Sequence, residues 1–175
     1  MKFNSVVLAI AMAIGSSSIV HAADQGRGKV TFTGSIVDAP CSISAESVDQ
    51  TIEMGQVSNV SLKNGGKSTP RQFSIKLEQC DTSTLKNVTT TFNGASSPDN
   101  KDLLGIVGTA SGASIALSDM ASQPIKLGVA TNPQSLADGS NTLRYVAHLQ
   151  GDSGEAAKIV PGEFKAVADF TLTYQ

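Results

Sequence analysis

Four groups of residues in this 175-residue chain have types and spacings that could do chemistry. Cys41 and Cys80, its two cysteines, can join in a disulfide, stay as free thiols or share a metal. Metal sharing would need a second ligand pair at zinc spacing, and none is present. Gly66, Lys67 and Ser68 have the order of a phosphate-cradling loop. That loop also needs a glycine where Ser61 stands, and a following helix that Pro70 discourages, so the run reads as a surface turn. His148 sits in a stretch where Leu143, Tyr145, Ala147 and Leu149 share one parity, which predicts a solvent-facing imidazole and not a catalytic base. Asp99, Asn100 and Asp102 have calcium-ligand types, but their loop lacks the glycine and the closing glutamate of an EF-hand. No nucleophile–base pair and no metal set emerges, so the chain reads as a non-enzyme with no cofactor.

The elements that must position these residues are short strands. Val, Ile, Thr, Ser and Gly dominate, with period-two alternation between turn clusters such as Asn64-Gly65-Gly66, Ser97 to Asn100 and Ala137-Asp138-Gly139. Strands are expected at Val30–Val37, Thr51–Met54, Gln72–Leu77, Val88–Phe92, Ser114–Leu117, Ile125–Val129, Leu143–Gln150 and Glu163–Tyr174. Glu46 to Gln50 and Gly55 to Leu62 have room for a helical turn, too little to change the class. Many short strands with few helical windows indicate an all-β sandwich.

The N-terminus reads as an export signal. Lys2 precedes the apolar run Val6–Ile14, and Val20-His21-Ala22 offers a small-residue cleavage site, so residues 1–22 are expected to be removed with Ala23 leading the mature chain. The apolar run is too short to span a bilayer. Thirteen basic residues against fifteen acidic ones, with no basic cluster, argue against a nucleic-acid partner. In an oxidising compartment an even pair of cysteines most simply forms a disulfide, and closing so long a loop is worth about 4 kcal/mol in the chain-entropy model.

Both ends of the mature chain are amphipathic. Phe164, Ala166, Ala168, Phe170, Leu172 and Tyr174 share one parity, while Glu163, Lys165, Asp169, Thr171 and Thr173 take the other. One continuous strand over this stretch would be about twice the usual length. Near the other end, Val30, Phe32, Gly34 and Ile36 alternate with Thr31, Thr33 and Ser35. A glycine inside such a strand marks either a tolerated gap or a place where another group approaches closely.

Gly28 to Ile43, with Cys41, resembles the N-terminal extension and first cysteine of chaperone–usher fimbrial subunits. Cys80 stands where that family has its second cysteine, and Gly162 to Gln175, with its penultimate Tyr174, resembles the family's C-terminal strand. The resemblance covers the whole mature chain and is closest to rod-forming major pilins of the P-pilus kind. It implies an all-β, incomplete immunoglobulin-like sandwich that lacks its last strand and is completed in trans by a donor strand. The implied organisation is a signal peptide (1–22), a donor-strand extension (23–38) and a pilin domain (39–175). Donor side chains would be Val30, Phe32, Gly34 and Ile36. The acceptor groove would be lined by Gly162, Phe164, Ala166, Ala168, Phe170, Leu172 and Tyr174, with the terminal carboxylate available to a chaperone's basic anchor. The implied partners are neighbouring pilin subunits in a homopolymer, a periplasmic chaperone and an outer-membrane usher, with host-surface contact made through the assembled pilus. The product would pass through the periplasm to the cell surface. Two rival readings are a minor tip or adaptor pilin and a secreted monomeric β-sandwich that binds sugar or protein.

Overall fold

The computed structural model describes residues 27–153 and 158–175; the expected signal peptide and residues 23–26 lie outside the described residues. Residues up to Ile36 belong to one unit and Val37–Gln175 form another. The described part of the first unit, from Arg27 to Ile36, carries no strand and is exposed throughout. The expected strand at Val30–Val37 is therefore absent from the single chain. An amphipathic segment without a partner edge has no ladder to join, and isolated strands are not stable in water.

The second unit is a sandwich of antiparallel strands: β1 (Ser42–Ile43), β2 (Arg71–Cys80), β3 (Asn87–Gly94), β4 (Leu104–Gly105), β5 (Val107–Gly108), β6 (Ala113–Asp119), β7 (Pro124–Ile125), β8 (Gln134–Ser135), β9 (Gly139–Gly151), β10 (Phe164–Lys165) and β11 (Ala168–Tyr174). The larger sheet runs β1-β2-β9-β6-β4 with β7 added to β6, the second runs β11-β3-β8, and β10 pairs with β5. One α-helical turn, α1 (Ala45–Val48), overlaps the window expected at Glu46 to Gln50.

Period-two alternation decides which faces meet. Ile75 and Leu77 of β2, Leu143, Tyr145, Ala147 and Leu149 of β9, and Ile115 and Leu117 of β6 point inward from the large sheet, where they join Val88 and Phe92 of β3 in one buried cluster. Phe92 meets Tyr145 edge-to-face with centroids 5.1 Å apart, and Phe73 lies 6.0 Å from Phe92. The single hydroxyl in this aromatic group is satisfied: Tyr145 Oη and Thr90 Oγ1 are hydrogen-bonded at 2.7 Å, and Gln134 Nε2 donates to Tyr145 Oη at 3.2 Å. Burial raises the Tyr145 pKa above the ordinary phenol value, and the phenol stays protonated at physiological pH.

Cys41 and Cys80 are joined in a disulfide. It links the residue before β1 to the last residue of β2, and both cysteines are buried. The Asp81 N–H donates to the Pro40 carbonyl at 2.9 Å, which extends this join by one backbone bond.

Several expected elements differ from those found. The stretch expected as one strand from Glu163 to Tyr174 is two, β10 and β11, interrupted at Ala166 and Val167. The physical reason is a change of partner: Phe164 and Lys165 pair with Gly108 and Val107, whereas Ala168 to Tyr174 pair with Gly94 to Val88. Thr51–Met54 forms no strand, and of Ile125–Val129 only Ile125 lies in one, as the second residue of β7. His148 is half-buried, not solvent-facing, and its Nε2 is enclosed with no hydrogen-bond partner. Parity placed it on the outer face correctly, but parity does not say how far neighbouring groups cover that face; here the imidazole is partly desolvated, and Lys67, bridged to Gln150 in the sheet, lies near enough for its charge to act on it.

Candidate functional site

β11 is where the sandwich is incomplete. It pairs with β3 along one edge, in register from Ala168↔Gly94 to Tyr174↔Val88, and it ends its sheet. Its other edge meets no strand among the described residues, although its inward side chains are those of a core strand. Ala168, Phe170, Leu172 and Tyr174 point toward the buried cluster, as do Phe164 and Ala166 before them, yet all six are only half-buried. On β3, directly adjacent, Val88, Thr90 and Phe92 are nearly or fully buried. The core is therefore closed up to β3 and open along the last strand.

Beside this strand lies a cleft of about 1330 Å³. One wall is Gly162 to Phe170. The interior is apolar, with Phe73, Ile75, Ile115 and Leu117 among its lining, and the opposite wall is the segment Ser47 to Val57. Within that wall Thr51–Val57 lies outside the sheet ladders, so both sides of the cleft present backbone that an added strand could bond. Tyr174 closes the far end of the inward face, and its phenol pKa is raised by burial. Beyond it, one oxygen of the Gln175 carboxylate accepts from the N–H groups of Lys86 and Asn87 at 3.0 and 2.8 Å.

Two glycines explain how the chain fits around the cleft. A Cβ at Gly162 would run into Thr109 Oγ1 and the Ala110 nitrogen, so the approach to β10 tolerates no side chain. The Thr109 and Ala110 N–H groups both donate to the Glu163 carbonyl at 3.0 Å, holding that close approach. At Gly94, opposite Ala168, a Cβ would meet Leu104 and the Val167 carbonyl.

Of the residues singled out in the sequence, Gly162, Phe164, Ala166, Ala168 and Phe170 line the cleft together. Leu172 and Tyr174 continue the same face past the lined portion and pack on the core. Val30, Phe32 and Ile36 lie in the other unit and are 75%, 91% and 104% exposed. A Cβ built at Gly34 meets no atom within 4 Å. Sequence reasoning missed the Thr51–Val57 wall as a part of the site and assigned its first half to an ordinary paired strand. The alternation of Ile52 and Met54 is the same in either setting, so it could not reveal that the ladder is left open. Among the described residues there is no group of three or more His, Cys, Asp or Glu side chains that could hold a metal ion. Nor is any helix among them long and apolar enough to cross a membrane.

Comparison with known proteins agrees with this geometry. The family described as "Fimbrial protein" matches residues 30–175. The chain is 71% identical to the Fimbria A protein of Serratia marcescens, over 100% of both sequences. It is 46% identical to the major MR/P fimbria protein of Proteus mirabilis, again over 100% of both. Among solved structures it is similar to the P pilus rod subunit PapA, with a TM-score of 0.71 and 34% identity, covering 78% of this chain and 100% of that one. The secreted-monomer reading gives way to these matches: with an open core edge and full-length similarity to major fimbrial subunits, the chain belongs to the fimbrial protein family and is a structural pilin.

Proposed function

We propose that this pilin forms the rod of a surface pilus by donor-strand exchange. Residues 23–38 of one copy serve as donor, with Val30, Phe32, Gly34 and Ile36 facing into the groove of the next copy. Gly162, Phe164, Ala166, Ala168, Phe170, Leu172 and Tyr174 form the acceptor face. Strand addition of this kind is an established mode of pilin recognition. Before assembly a periplasmic chaperone supplies a substitute strand, and an outer-membrane usher exports the subunit to the cell surface. There the homopolymer supports adhesion.

One observation carries the reading. Every inward side chain of the last strand is half-buried beside an apolar cleft, while the alternating apolar residues of the N-terminal segment are almost wholly exposed. Each deficit answers the other. Burying Val30, Phe32 and Ile36 contributes about 1.5–3 kcal/mol apiece. The inserted backbone would also satisfy donors and acceptors on both cleft walls. An apolar cleft this large does not persist in water unfilled, so the isolated subunit is expected to self-associate or unfold.

Deleting Ala23 to Val37 tests the proposal. The shortened subunit should still bind chaperone through its groove but should add no further copies. Polymerisation at the full-length rate would overturn the donor assignment.

A further inference from the structure

Inward side chains alone do not settle how a donor sits in the groove. The donor has four inward positions, Val30, Phe32, Gly34 and Ile36, and the acceptor face offers six from Phe164 to Tyr174. A slip of one residue would turn the donor's apolar set outward, but a slip of two keeps every parity. The outer face supplies what the inner one lacks. β11 is seven residues long and carries Asp169, Thr171 and Thr173 outward. The donor stretch Val30–Ile36 is also seven residues long and carries Thr31, Thr33 and Ser35 outward.

The β3–β11 ladder already pairs hydroxyl residues across this face. Thr171 lies opposite Thr91 and Thr173 opposite Thr89, and Thr89 Oγ1 donates to the Thr173 carbonyl at 3.4 Å. Thr89 and Thr91 are half-buried, whereas Thr171 and Thr173, with no strand beyond them among the described residues, are exposed. Backbone bonding shows how near an added strand would bring its side chains. Gln175 and Asn87 exchange both of their backbone hydrogen bonds, at 2.9 and 2.8 Å. Two and four residues back along the ladder, Thr173–Thr89 and Thr171–Thr91 are therefore hydrogen-bonded pairs as well. The N–H and C=O groups of Thr171 and Thr173 point at β3, so a strand on the other edge meets these residues in non-hydrogen-bonded pairs. In an antiparallel ladder those are the narrow pairs, with Cα atoms about 4.5 Å apart and side chains in contact.

We propose that a hydroxyl ladder on the outer face holds the donor in register, with Thr33 of one copy directly opposite Thr171 of the next. The inference rests on the donor-strand reading above and adds to it the residues that fix the register. Every ladder between named strands of this fold is antiparallel. Antiparallel addition, residue for residue over the two seven-residue stretches, sets Thr31 opposite Thr173, Thr33 opposite Thr171 and Ser35 opposite Asp169. Each donor hydroxyl then faces a side chain that can hydrogen-bond to it. Thr33 and Thr171 are the midpoints of their stretches, so this pair is the same for either direction of insertion. A slip of two toward the start of β11 would set Ser35 against Val167 and carry Ile36 past β11 to Ala166. The opposite slip would carry Val30 beyond Tyr174, the last residue of β11.

Cross-linking within polymers of the full-length chain tests the register. Subunits carrying Thr33→Cys with Thr171→Cys are polymerised and oxidised; a narrow pair suits disulfide geometry, so a covalent ladder should persist on non-reducing denaturing gels. Thr33→Cys with Asp169→Cys, and Thr33→Cys with Thr173→Cys, each two residues out of register, should cross-link far less. Strongest cross-linking in either of those would overturn the proposal. A second measurement needs no cysteine. Polymers of Thr33→Ala or of Thr171→Ala should shed subunits in denaturant about two- to fivefold faster than wild type, and the double variant no faster than the singles. Effects that multiply in the double variant would overturn the pairing. Polymers in which none of the three cysteine pairs cross-links would instead overturn the donor-strand reading itself.

Discussion

Phe92 and Phe170 are direct partners across the β3–β11 ladder, and they differ sharply in burial: Phe92 is 3% exposed, while Phe170 remains half-exposed. Directly opposed residues of an antiparallel pair share a face, so both rings point at the same core. Phe92 is covered because Phe73 and Tyr145 stand against it. Phe170 borders the cleft, and among the described residues no strand lies beyond β11 to cover it. The contrast between these two rings locates the missing layer of the sandwich to one strand's width.

Gly34→Asn should block subunit addition while leaving the subunit's own fold intact. A Cβ at this position meets nothing within 4 Å in its own chain, so any penalty must arise in the neighbour's groove. Circular dichroism of the chaperone-bound variant should match wild type, and the polymer ladder on gels should stop at single subunits. Normal ladders would show that the groove has room for a side chain there.

Removing the disulfide with paired Cys41→Ser and Cys80→Ser changes should lower unfolding free energy by about 4 kcal/mol, on the loop-closure estimate for a separation of 39 residues. Denaturant titration of the chaperone-free chain with a saturating donor peptide measures it. A loss below about 1 kcal/mol would mean that native packing alone holds β1 onto β2.

Tyr145→Phe removes the hydroxyl that bonds Thr90 and Gln134. Thr90 is fully buried and would lose this partner, so the variant should be less stable by about 1–3 kcal/mol, with an unchanged spectrum of folded signals. Tyr145→Phe with Thr90→Val should recover part of the loss, because the orphaned hydroxyl is then gone as well.

His148 predicts a pH effect of defined sign. Burial, and then the nearby charge of Lys67, lower its pKa from the ordinary 6.5, so the unfolded chain binds a proton that the folded chain refuses. This contribution to stability is fully present above pH 6.5 and is lost as pH falls through the lowered folded pKa. Thermal melts between pH 7 and pH 5 should show wild type losing more stability than His148→Gln. Equal losses in both would mean that the imidazole titrates normally.

Alternation along the chain determined a good deal without coordinates. The all-β class, the centres of β2, β3, β6 and β9, and the inward set from Phe164 to Tyr174 all follow from side-chain parity, because a strand's pleat is a local property. The cysteine pair and the helical turn at Ala45–Val48 were legible for similar reasons: each depends on residue type and short spacing. Tertiary structure decided everything that depends on which edges meet. It split Glu163–Tyr174 where the partner changes from β5 to β3, left Thr51–Val57 without a ladder, and half-buried His148 at an outward-facing position. It also turned an apolar parity into a groove, since only packing distinguishes a covered ring such as Phe92 from an uncovered one such as Phe170. A chain can state locally that a face wants burial; whether anything in the same chain buries it is a question of long-range pairing.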